Sequence, residues 1–418
     1  MKKILWITNQ AVGPILNIKS LSYNSGTWMD AALESFVLNR DFELGIAYLS
    51  TDSSVNSISV EGIQYFSIPS YSGIYDENDE RNIKNWNYIL STYKPDLLMI
   101  WGTENAIGLC AQKCAPQLPS VILIQGYISS IYKYYYGGLS DRELSACYSF
   151  RNLICRDGLK EKRDSYRRRM LQEQEAIERS KNIIVDNKWI EYLISGHINN
   201  INFYNVRLNI KDVFFERQWV PNNSKILFCT SPGGYPLKGF HQLIKALAIV
   251  KEYTPEILLK VPGMNDPFAK SKKDLLKEDG YIKFLKHLIE RFDLRKNIQF
   301  LGRLDSVQIA DALTSCNAFI VPSAIENHSI SLREAMTIGC PVIASYAGGM
   351  PEIIRQGQNG FVYRFEEYEM LAVLINLVVN NRELSETIGK NARLDMMHYF
   401  GEKSMGDSLA EIYKGILD

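Results

Sequence analysis

The chain has 418 residues, which is too long for one ordinary hydrophobic core and indicates two domains. Hydrophobic residues make up 46% of it and charged residues 22%, the composition of an ordinary globular protein. Lysine plus arginine equals aspartate plus glutamate at 47 each, so the formal net charge of zero gives no support to a nucleic-acid-binding function.

Short apolar runs alternate with longer amphipathic segments in the first half of the chain. This alternation predicts βαβ units and a parallel sheet with helices on both faces. The first run, after Met1-Lys2-Lys3, is too short for the apolar part of a signal peptide and is expected to be a buried strand. Helical patterns lie between the runs, for example at 27–38 and 80–93. The predicted strands are 4–8, 44–49, 64–68, 97–101, 121–125 and 183–186.

The segment 131–181 interrupts this alternation. It carries four tyrosines between positions 132 and 136 and two basic clusters, at 160–163 and 167–169. We expect two helices that cover the N-terminal sheet. Their basic side is interpreted as a solvated helix face. The alternative is a patch for an anionic acceptor lipid or a membrane surface, which the interspersed acidic residues weaken.

A second series of alternating elements follows a polar stretch, residues 211–224, which is predicted to be the linker between two domains. Residues 1–210, together with a final helix in 402–418, are expected to form the first domain, and residues 225–401 the second. Helical patterns occur at 240–251, 275–292 and 306–314. The predicted strands of the second domain are 226–229, 257–261, 298–301, 318–321 and 342–344.

The sequence lacks the motifs of several common catalytic and metal-binding sites. The five histidines form no HExxH pair, and no Asp-x-Asp pair is present to hold a metal on a diphosphate. There is no GxSxG elbow, no GxGxxG after the first strand, and no apolar run near the roughly 20 residues of a membrane span. The seven cysteines include no CxxC pair and are expected to be buried thiols in a reducing cytosol. We therefore predict no metal site and no cofactor.

Two glutamates, Glu326 and Glu334, flank the predicted start of a helix after the strand 318–321. Ser329 is expected to be the N-cap of this helix, which runs from Ile330 to about residue 338. The free N–H groups at such a helix start, aided by the helix dipole, can bind a diphosphate. Glu326 is then expected to accept hydrogen bonds from sugar hydroxyls and Glu334 from ribose hydroxyls. Spacing alone favours the simpler interpretation of two surface carboxylates.

The residues around this pair resemble the retaining GT-B glycosyltransferases of family 4. Their hallmark is two glutamates separated by seven residues, then Ala-Met, a Gly-x-Pro-Val strand and a Gly-Gly-x-x-Glu turn. The resemblance covers the C-terminal half and, more loosely, the first strand and the loop after it. It implies an α/β, GT-B fold with two doubly wound, Rossmann-like domains facing across a cleft. The matching residues are Glu326, Glu334, Ala335-Met336, Gly339, Pro341-Val342-Ile343-Ala344, Gly348-Gly349, Pro351-Glu352 and Asn359-Gly360-Phe361.

Further positions of the donor site are implied by the same resemblance. Lys238, followed by a glycine, looks like the phosphate-contacting lysine of the family. Gly26 resembles the glycine of the loop after the first strand, where only a bare backbone can approach the donor phosphates. Arg303 and Leu304 match the place where the family's backbone meets the nucleotide base.

The chain also departs from the family pattern. The family usually has an arginine shortly before the lysine, and here glycines such as Gly234 occupy that place and are expected to supply N–H donors instead; otherwise Arg207 or Arg217 is expected to reach in. Gln125 stands where the family often has a histidine near the sugar. His328, where the family commonly has a small or aromatic residue, is expected either to donate to phosphate or to cover the sugar.

The resemblance implies a metal-independent hexosyltransferase that moves a sugar from a nucleoside diphosphate sugar, with a UDP-sugar favoured, to a hydroxyl with retention of configuration. Glu326 and Lys238 are the expected catalytic residues, and the first domain is expected to hold a glycan or lipid-linked acceptor. We expect a cytoplasmic protein of cell-surface polysaccharide or glycolipid assembly, with peripheral membrane contact through 131–181. A sugar-nucleotide 2-epimerase on the same fold and a non-catalytic partner subunit are the alternatives.

Overall fold

The computed structural model describes residues 1–18, 27–38, 41–71, 75–269, 278–327, 329–401 and 404–418. The chain divides into two compact units. The first comprises Met1–Ser129, Ser165–Ile210 and Glu402–Asp418, and the second comprises Ser130–Asp164 and Lys211–Gly401.

The first unit is built on an eight-stranded sheet in the order β3-β4-β2-β1-β5-β6-β7-β8. All neighbouring strands are parallel except β3, which pairs with β4 in the antiparallel sense at one edge. The central strands are apolar on both faces because helices cover both sides. The strands are β1 Lys2–Thr8, β2 Phe42–Ser50, β3 Asn56–Val60, β4 Ile63–Pro69, β5 Leu97–Trp101, β6 Ser120–Leu123, β7 Asn182–Val185 and β8 Asn202–Asn205.

Helices of the first unit cover this sheet, and the C-terminal helix is one of them. Tyr413 of that helix packs edge-on against Phe36 and Phe42, with ring centroids 5.5 and 5.9 Å apart. The helices are Ile15–Ile18, Thr27–Val37, Glu80–Tyr93, Ile107–Cys114, Lys188–Ser195 and Met405–Leu417. Two further helices, Ile128–Tyr134 and Leu159–Ser180, contain a boundary between the units.

The second unit contains a six-stranded, wholly parallel sheet in the order β11-β10-β9-β12-β13-β14. Its strands are β9 Ile226–Cys229, β10 Leu258–Pro262, β11 Ile298–Gly302, β12 Ala318–Val321, β13 Val342–Ser345 and β14 Phe361–Tyr363. Its helices are Asp141–Ala146, Phe150–Cys155, Val213–Glu216, the 3₁₀ turn Pro236–Lys238, Phe240–Tyr253, Gly280–Arg291, Ser306–Ser315, Ile330–Ile338, Met350–Ile353, Tyr368–Asn380 and Arg382–Phe400.

The segment 131–181 differs from its predicted arrangement of two helices over the N-terminal sheet. It forms parts of four helices, and residues 130–164 belong to the second unit instead of the predicted first domain. Long-range polar contacts are the reason: Nε2 of His241 lies 2.9 Å from the carbonyl oxygen of Gly137, and Nζ of Lys245 lies 2.8 Å from Glu143. The backbone N–H of Gly280 donates to Oδ1 of the buried Asn152 at 2.7 Å.

Most of the long helix Leu159–Ser180, from Ser165 onwards, belongs to the first unit. Its Glu173 is buried and its carboxylate accepts hydrogen bonds of 2.6–3.1 Å from the Thr103 hydroxyl, the Ile128 N–H, and the N–H and hydroxyl of Ser129. These four bonds fix the segments that follow β5 and β6 against the helix.

Residues 211–224, predicted to be a linker, belong to the second unit and are partly packed into it. Trp219 is buried, its backbone N–H donates to the carbonyl of Ile338 at 2.9 Å, and its indole N–H donates to the carbonyl of Cys316 at 2.6 Å. The segment is therefore held against the second unit by its own aromatic side chain.

Candidate active site

The candidate site lies where the order of strands in the second sheet reverses. The chain proceeds from β9 to β10 and β11 on one side, and from β12 to β13 and β14 on the other. Doubly wound sheets bind ligands at such a switch point, beside the carboxyl ends of the strands, and here these ends are those of β9 and β12. Lys238 follows β9, and Glu326 follows β12.

Lys238 ends the 3₁₀ turn Pro236–Lys238 and is held against the loop after β12. The backbone N–H of Ala324 donates to the carbonyl of Leu237 at 2.8 Å. Gly239 has φ = +66°, and a Cβ there would lie 1.7 Å from the carbonyl oxygen of Pro322. Only glycine permits this approach, so the Lys-Gly sequence brings the lysine to the Glu326 loop.

Glu326 is oriented by neighbours on three segments. Oε1 of its carboxylate lies 2.5 Å from Nζ of Lys238 and accepts a hydrogen bond of 2.8 Å from the hydroxyl of Ser323. Its backbone carbonyl accepts from the N–H of Gly349 at 3.1 Å, and a Cβ on Gly348 would lie 1.7 Å from that carbonyl oxygen. Sequence reasoning did not identify Ser323 as a site residue, although its position directly after a buried strand was a usable signal.

The Lys238–Glu326 ion pair is partly shielded from water, with side-chain exposures of 24% and 13%. Burial by itself lowers the pKa of the Lys238 ammonium, but the negative charge of Glu326, the neighbouring Tyr235 and the hydrogen bond to Glu326 together outweigh it, so the pKa is raised above its usual value. Lys238 is therefore a permanent cation at this site. Among the described residues none donates a hydrogen bond to Oε2 of Glu326, so that oxygen can accept from a ligand.

The helix Ile330–Ile338 starts beside this pair, as predicted. Ser329 is its N-cap by position and is buried, but its side chain makes no capping hydrogen bond. The hydroxyls of Thr230, after β9, and Ser331, in the first turn, lie 3.4 Å apart. The first N–H groups of a helix have no partner within it, so this terminus presents donors at the switch point.

Glu334 lies one turn inside this helix and is half-buried. Burial raises the pKa of its carboxyl to about 8, while the positive charge of Lys211 acts in the opposite direction. No described residue donates a hydrogen bond to this carboxylate.

The other predicted donor-binding residues lie further along the same edge or outside the described residues. Gly234 has φ = +71° in the loop after β9, and nothing but Ile282 comes within 4 Å of the position of a Cβ. Arg303 and Leu304 follow β11, three strands from β12, or roughly 14 Å at about 4.8 Å per strand. Gly26 and His328 lie outside the described residues.

Of the two candidates for the missing arginine, Arg217 is engaged away from the Lys238–Glu326 pair. Nε of Arg217 donates to Asp311 at 3.0 Å on the helix Ser306–Ser315. Arg207 belongs to the first unit. Among the described residues no group of three or more His, Cys, Asp and Glu side chains is arranged to hold a metal ion, and none of the described helices combines the length and apolarity that a bilayer crossing requires.

Residues 213–395, which contain this site, match the family model of glycosyl transferases group 1. The chain is 34% identical over 103 residues to the sulfoquinovosyl transferase SQD2 of Arabidopsis thaliana, covering 24% of this chain and 20% of that protein. It is 27% identical over 184 residues to the D-inositol 3-phosphate glycosyltransferase of Streptomyces griseus, covering 44% and 37%. The chain thus spans less than half the length of the curated relatives it matches.

Solved structures resemble the chain over its whole length. Sucrose-phosphate synthase of Thermosynechococcus elongatus superposes with a TM-score of 0.71 at 17% identity, covering 100% of this chain and 99% of that one. HepE of Anabaena, solved with UDP and glucose, superposes with a TM-score of 0.64 at 18% identity, covering 99% and 100%. The predicted α/β, GT-B fold with two parallel-sheet domains is confirmed. The structural likeness concerns the fold, and the likeness to group 1 glycosyltransferases lies in the match over residues 213–395.

Proposed function

We propose that the chain transfers a sugar from a nucleoside diphosphate sugar, with a UDP-sugar favoured, to a hydroxyl acceptor with retention of configuration, as in family 4. The observation that carries this proposal is the Lys238–Glu326 ion pair at the switch point of the second sheet, beside the start of the helix Ile330–Ile338. The group 1 match over residues 213–395 supports the same class of reaction.

Lys238 and the helix start supply the positive charge in this mechanism. When the bond between the anomeric carbon and the diphosphate breaks, negative charge builds up on the leaving oxygen. An ammonium and backbone N–H groups that are already oriented stabilise this charge without reorganisation. The N–H groups of Ser329, Ile330 and Gly234 act with Lys238, so the reaction needs no metal ion. The acceptor hydroxyl attacks from the side that the diphosphate leaves, and the protein supplies no nucleophile.

The two glutamates have different roles. Oε1 of Glu326 is engaged by Lys238 and Ser323, which leaves Oε2 to accept hydrogen bonds from the donor sugar. Glu334, one turn inside the helix, accepts from the ribose hydroxyls. The backbone of Arg303 and Leu304, after β11, meets the base. Gly26 lets the backbone approach the donor phosphates, and His328 either donates to phosphate or covers the sugar.

The acceptor is a glycan or a lipid-linked glycan. One structural neighbour, TarM of S. aureus, was solved with a glycosylated glycerol and UDP, which supports this class. We assign the chain to cell-surface polysaccharide or glycolipid assembly in the cytoplasm, at the inner face of the membrane. Contact with that membrane is made through part of 131–181.

The first test measures donor binding and turnover. UDP-, GDP- and ADP-sugars are screened by thermal shift, since a ligand that binds only the folded state raises the melting temperature. Lys238→Ala and Glu326→Ala are then expected to lower kcat by about 10²–10³-fold with the best donor, the typical loss for one charge-stabilising group. Lys251→Ala is the matched control, because this lysine also forms an ion pair, with Asp293, but lies outside the site.

Turnover near the wild-type value in both Lys238→Ala and Glu326→Ala would contradict the proposed mechanism. Inversion at the anomeric carbon of the product would contradict retention. Epimerised donor in the absence of acceptor would identify a sugar-nucleotide epimerase instead, and failure to bind any nucleotide sugar would point to a non-catalytic partner subunit.

A further inference from the structure

The helix Phe150–Cys155 carries three of the most exposed large apolar side chains in the described part of the chain. Phe150 is 69% exposed, Leu153 68% and Ile154 66%, and the neighbouring Tyr148 is 45% exposed. The i, i+3, i+4 spacing places Phe150, Leu153 and Ile154 on one side of the helix. We call Tyr148, Phe150, Leu153 and Ile154 the apolar patch.

The polarity of this helix is inverted, with its buried side polar and its outer side apolar. Asn152 is buried, and its side-chain oxygen accepts from the N–H of Gly280 and the hydroxyl of Ser149, each at 2.7 Å. Its amide nitrogen donates to Oδ1 of Asp157 at 2.9 Å. The helix is therefore anchored through its polar residue, and the anchoring keeps Phe150, Leu153 and Ile154 in solvent.

Ion pairs to Asp279, the N-cap of the helix Gly280–Arg291, reinforce this anchoring. Lys162 lies 2.7 Å from Asp279 and Arg151 lies 3.8 Å from it, and Arg151 also pairs with Asp157 within the segment at 2.7 Å. These polar contacts hold the inner side of the segment in place, and they therefore keep the apolar patch exposed to solvent.

Positive charge borders the apolar patch. Arg156 and Lys160 are exposed, and neither forms an ion pair with a described residue. Five basic and three acidic residues occur between 148 and 164, whereas the whole chain has no net charge. Apolar side chains beside unpaired basic ones suit the boundary between headgroups and acyl chains of an anionic bilayer.

A second exposed apolar row in the same unit lies next to acidic residues and not next to basic ones. Met370, Val373 and Leu377 are 46%, 60% and 39% exposed on the helix Tyr368–Asn380, but this row follows three glutamates, at 366, 367 and 369. The two rows belong to the same unit and differ in the sign of the neighbouring charge, so the second is a matched control.

We infer that the apolar patch, with Arg156 and Lys160, docks the protein on an anionic phospholipid surface. The inference deepens, and rests on, the proposed action on acceptors at a membrane. It narrows the contact from the segment 131–181 to the apolar patch and the two basic residues that follow it, Arg156 and Lys160. A second copy of the chain is a poorer occupant, because self-association would bring the two basic borders together.

The test measures sedimentation of the full chain with vesicles. The wild type is expected to bind mixed phosphatidylcholine–phosphatidylglycerol vesicles at least about tenfold more than phosphatidylcholine alone. A Phe150→Ser, Leu153→Ser, Ile154→Ser variant is expected to lose at least about tenfold of this binding. Arg156→Glu with Lys160→Glu is expected to lose the preference for phosphatidylglycerol. The control variant Met370→Ser, Val373→Ser, Leu377→Ser is expected to bind like the wild type.

Two results would overturn the inference. One is equal vesicle binding by the wild type and the apolar-patch variant. The other is a wild-type dimer that becomes a monomer in that variant while neither binds vesicles, since a second copy would then be the occupant. The UDP-induced rise in melting temperature is measured on the same variants. If it persists while vesicle binding is absent, only the membrane inference fails, and if it is absent while binding persists, the proposed transferase function fails.

Discussion

Glu334 combines a half-buried carboxyl with a helix start that we assign to the donor. Its pKa is raised to about 8 by burial, with Lys211 opposing the shift, whereas in the unfolded chain it is an ordinary glutamate. Between these two values the unfolded chain has lost the proton that the folded chain retains. The contribution of Glu334 to stability is therefore fully present at low pH and is lost as pH rises towards 8.

We predict that Glu334→Gln changes stability in a pH-dependent way. Relative to the wild type, the variant should gain stability between pH 5 and pH 8, because glutamine does not ionise. Thermal unfolding at several pH values in this window measures the difference in melting temperature. Glu290→Gln, at an exposed position of the helix Gly280–Arg291, reports the effect of losing one carboxylate in water. A constant difference between wild type and Glu334→Gln across the window would contradict the raised pKa.

At the scale of elements, His241 joins the helix Phe240–Tyr253 to the 130–164 segment. The ring is fully buried, and burial is the main reason that its pKa is lowered to about 3, so it is neutral. The carbonyl of Gly137 can only accept, so Nε2 carries the proton and Nδ1 accepts from the hydroxyl of Tyr281 at 2.9 Å. One histidine therefore satisfies two buried polar groups.

We predict that His241→Ala costs about 2–4 kcal/mol of stability near pH 7.5, from the cavity and the two unpaired groups. Below about pH 6.5 the unfolded wild type takes up a proton that the folded form refuses, which lowers wild-type stability by about 1.4 kcal/mol per pH unit. The difference in the free energy of unfolding between wild type and His241→Ala should therefore become smaller from pH 7.5 to pH 5. Denaturant unfolding measures this difference, and His287→Ala, at an exposed position of the helix Gly280–Arg291, is the control. A gap that widens on acidification would mean that the folded protein holds His241 protonated.

Elements that bury a regular apolar pattern could be predicted from the sequence. The helix Ile330–Ile338 and the strands β9 and β12 have the predicted bounds, because apolar runs and a serine before the helix are local signals. The strands β3 and β8 were not predicted, since each lies at a sheet edge and most of their residues are exposed or half-buried. Strand β14 has only three residues.

Positions that depend on contacts distant in the chain were harder to predict. Lys238 and Glu326 could be singled out from their neighbours, but their ion pair depends on backbone approaches at Gly239 and Gly348 that only the fold shows. The 130–164 segment was assigned to the first domain because it follows that sheet in sequence. Its partners His241, Lys245 and Gly280 lie about 100 or more residues further along the chain. The roles of the individual site residues stay predictions.

At the scale of the whole molecule, the proposed donor groups are unevenly divided between the two units. Lys238, Glu326, Ser329 and Glu334 belong to the second unit, whereas Gly26 is the one donor contact proposed from the first. Units with separate cores can unfold in separate steps, and a ligand stabilises the unit that holds it by about 2.7 kcal/mol when its concentration is 100 times Kd.

We therefore predict two transitions in differential scanning calorimetry, of which UDP raises mainly the one that belongs to the second unit. Two variants assign the transitions. Glu173→Ala should lower the melting temperature of the first unit, because donors such as Thr103 lose their partner at a cost of about 1–3 kcal/mol. His241→Ala should lower the melting temperature of the second unit. Lys238→Ala should abolish most of the UDP-induced rise in melting temperature without moving the first transition, because it removes the cation that we propose binds the diphosphate. If UDP raised both melting temperatures equally, both units would bind UDP to the same extent. The assignment of the diphosphate contacts to the second unit would then be wrong.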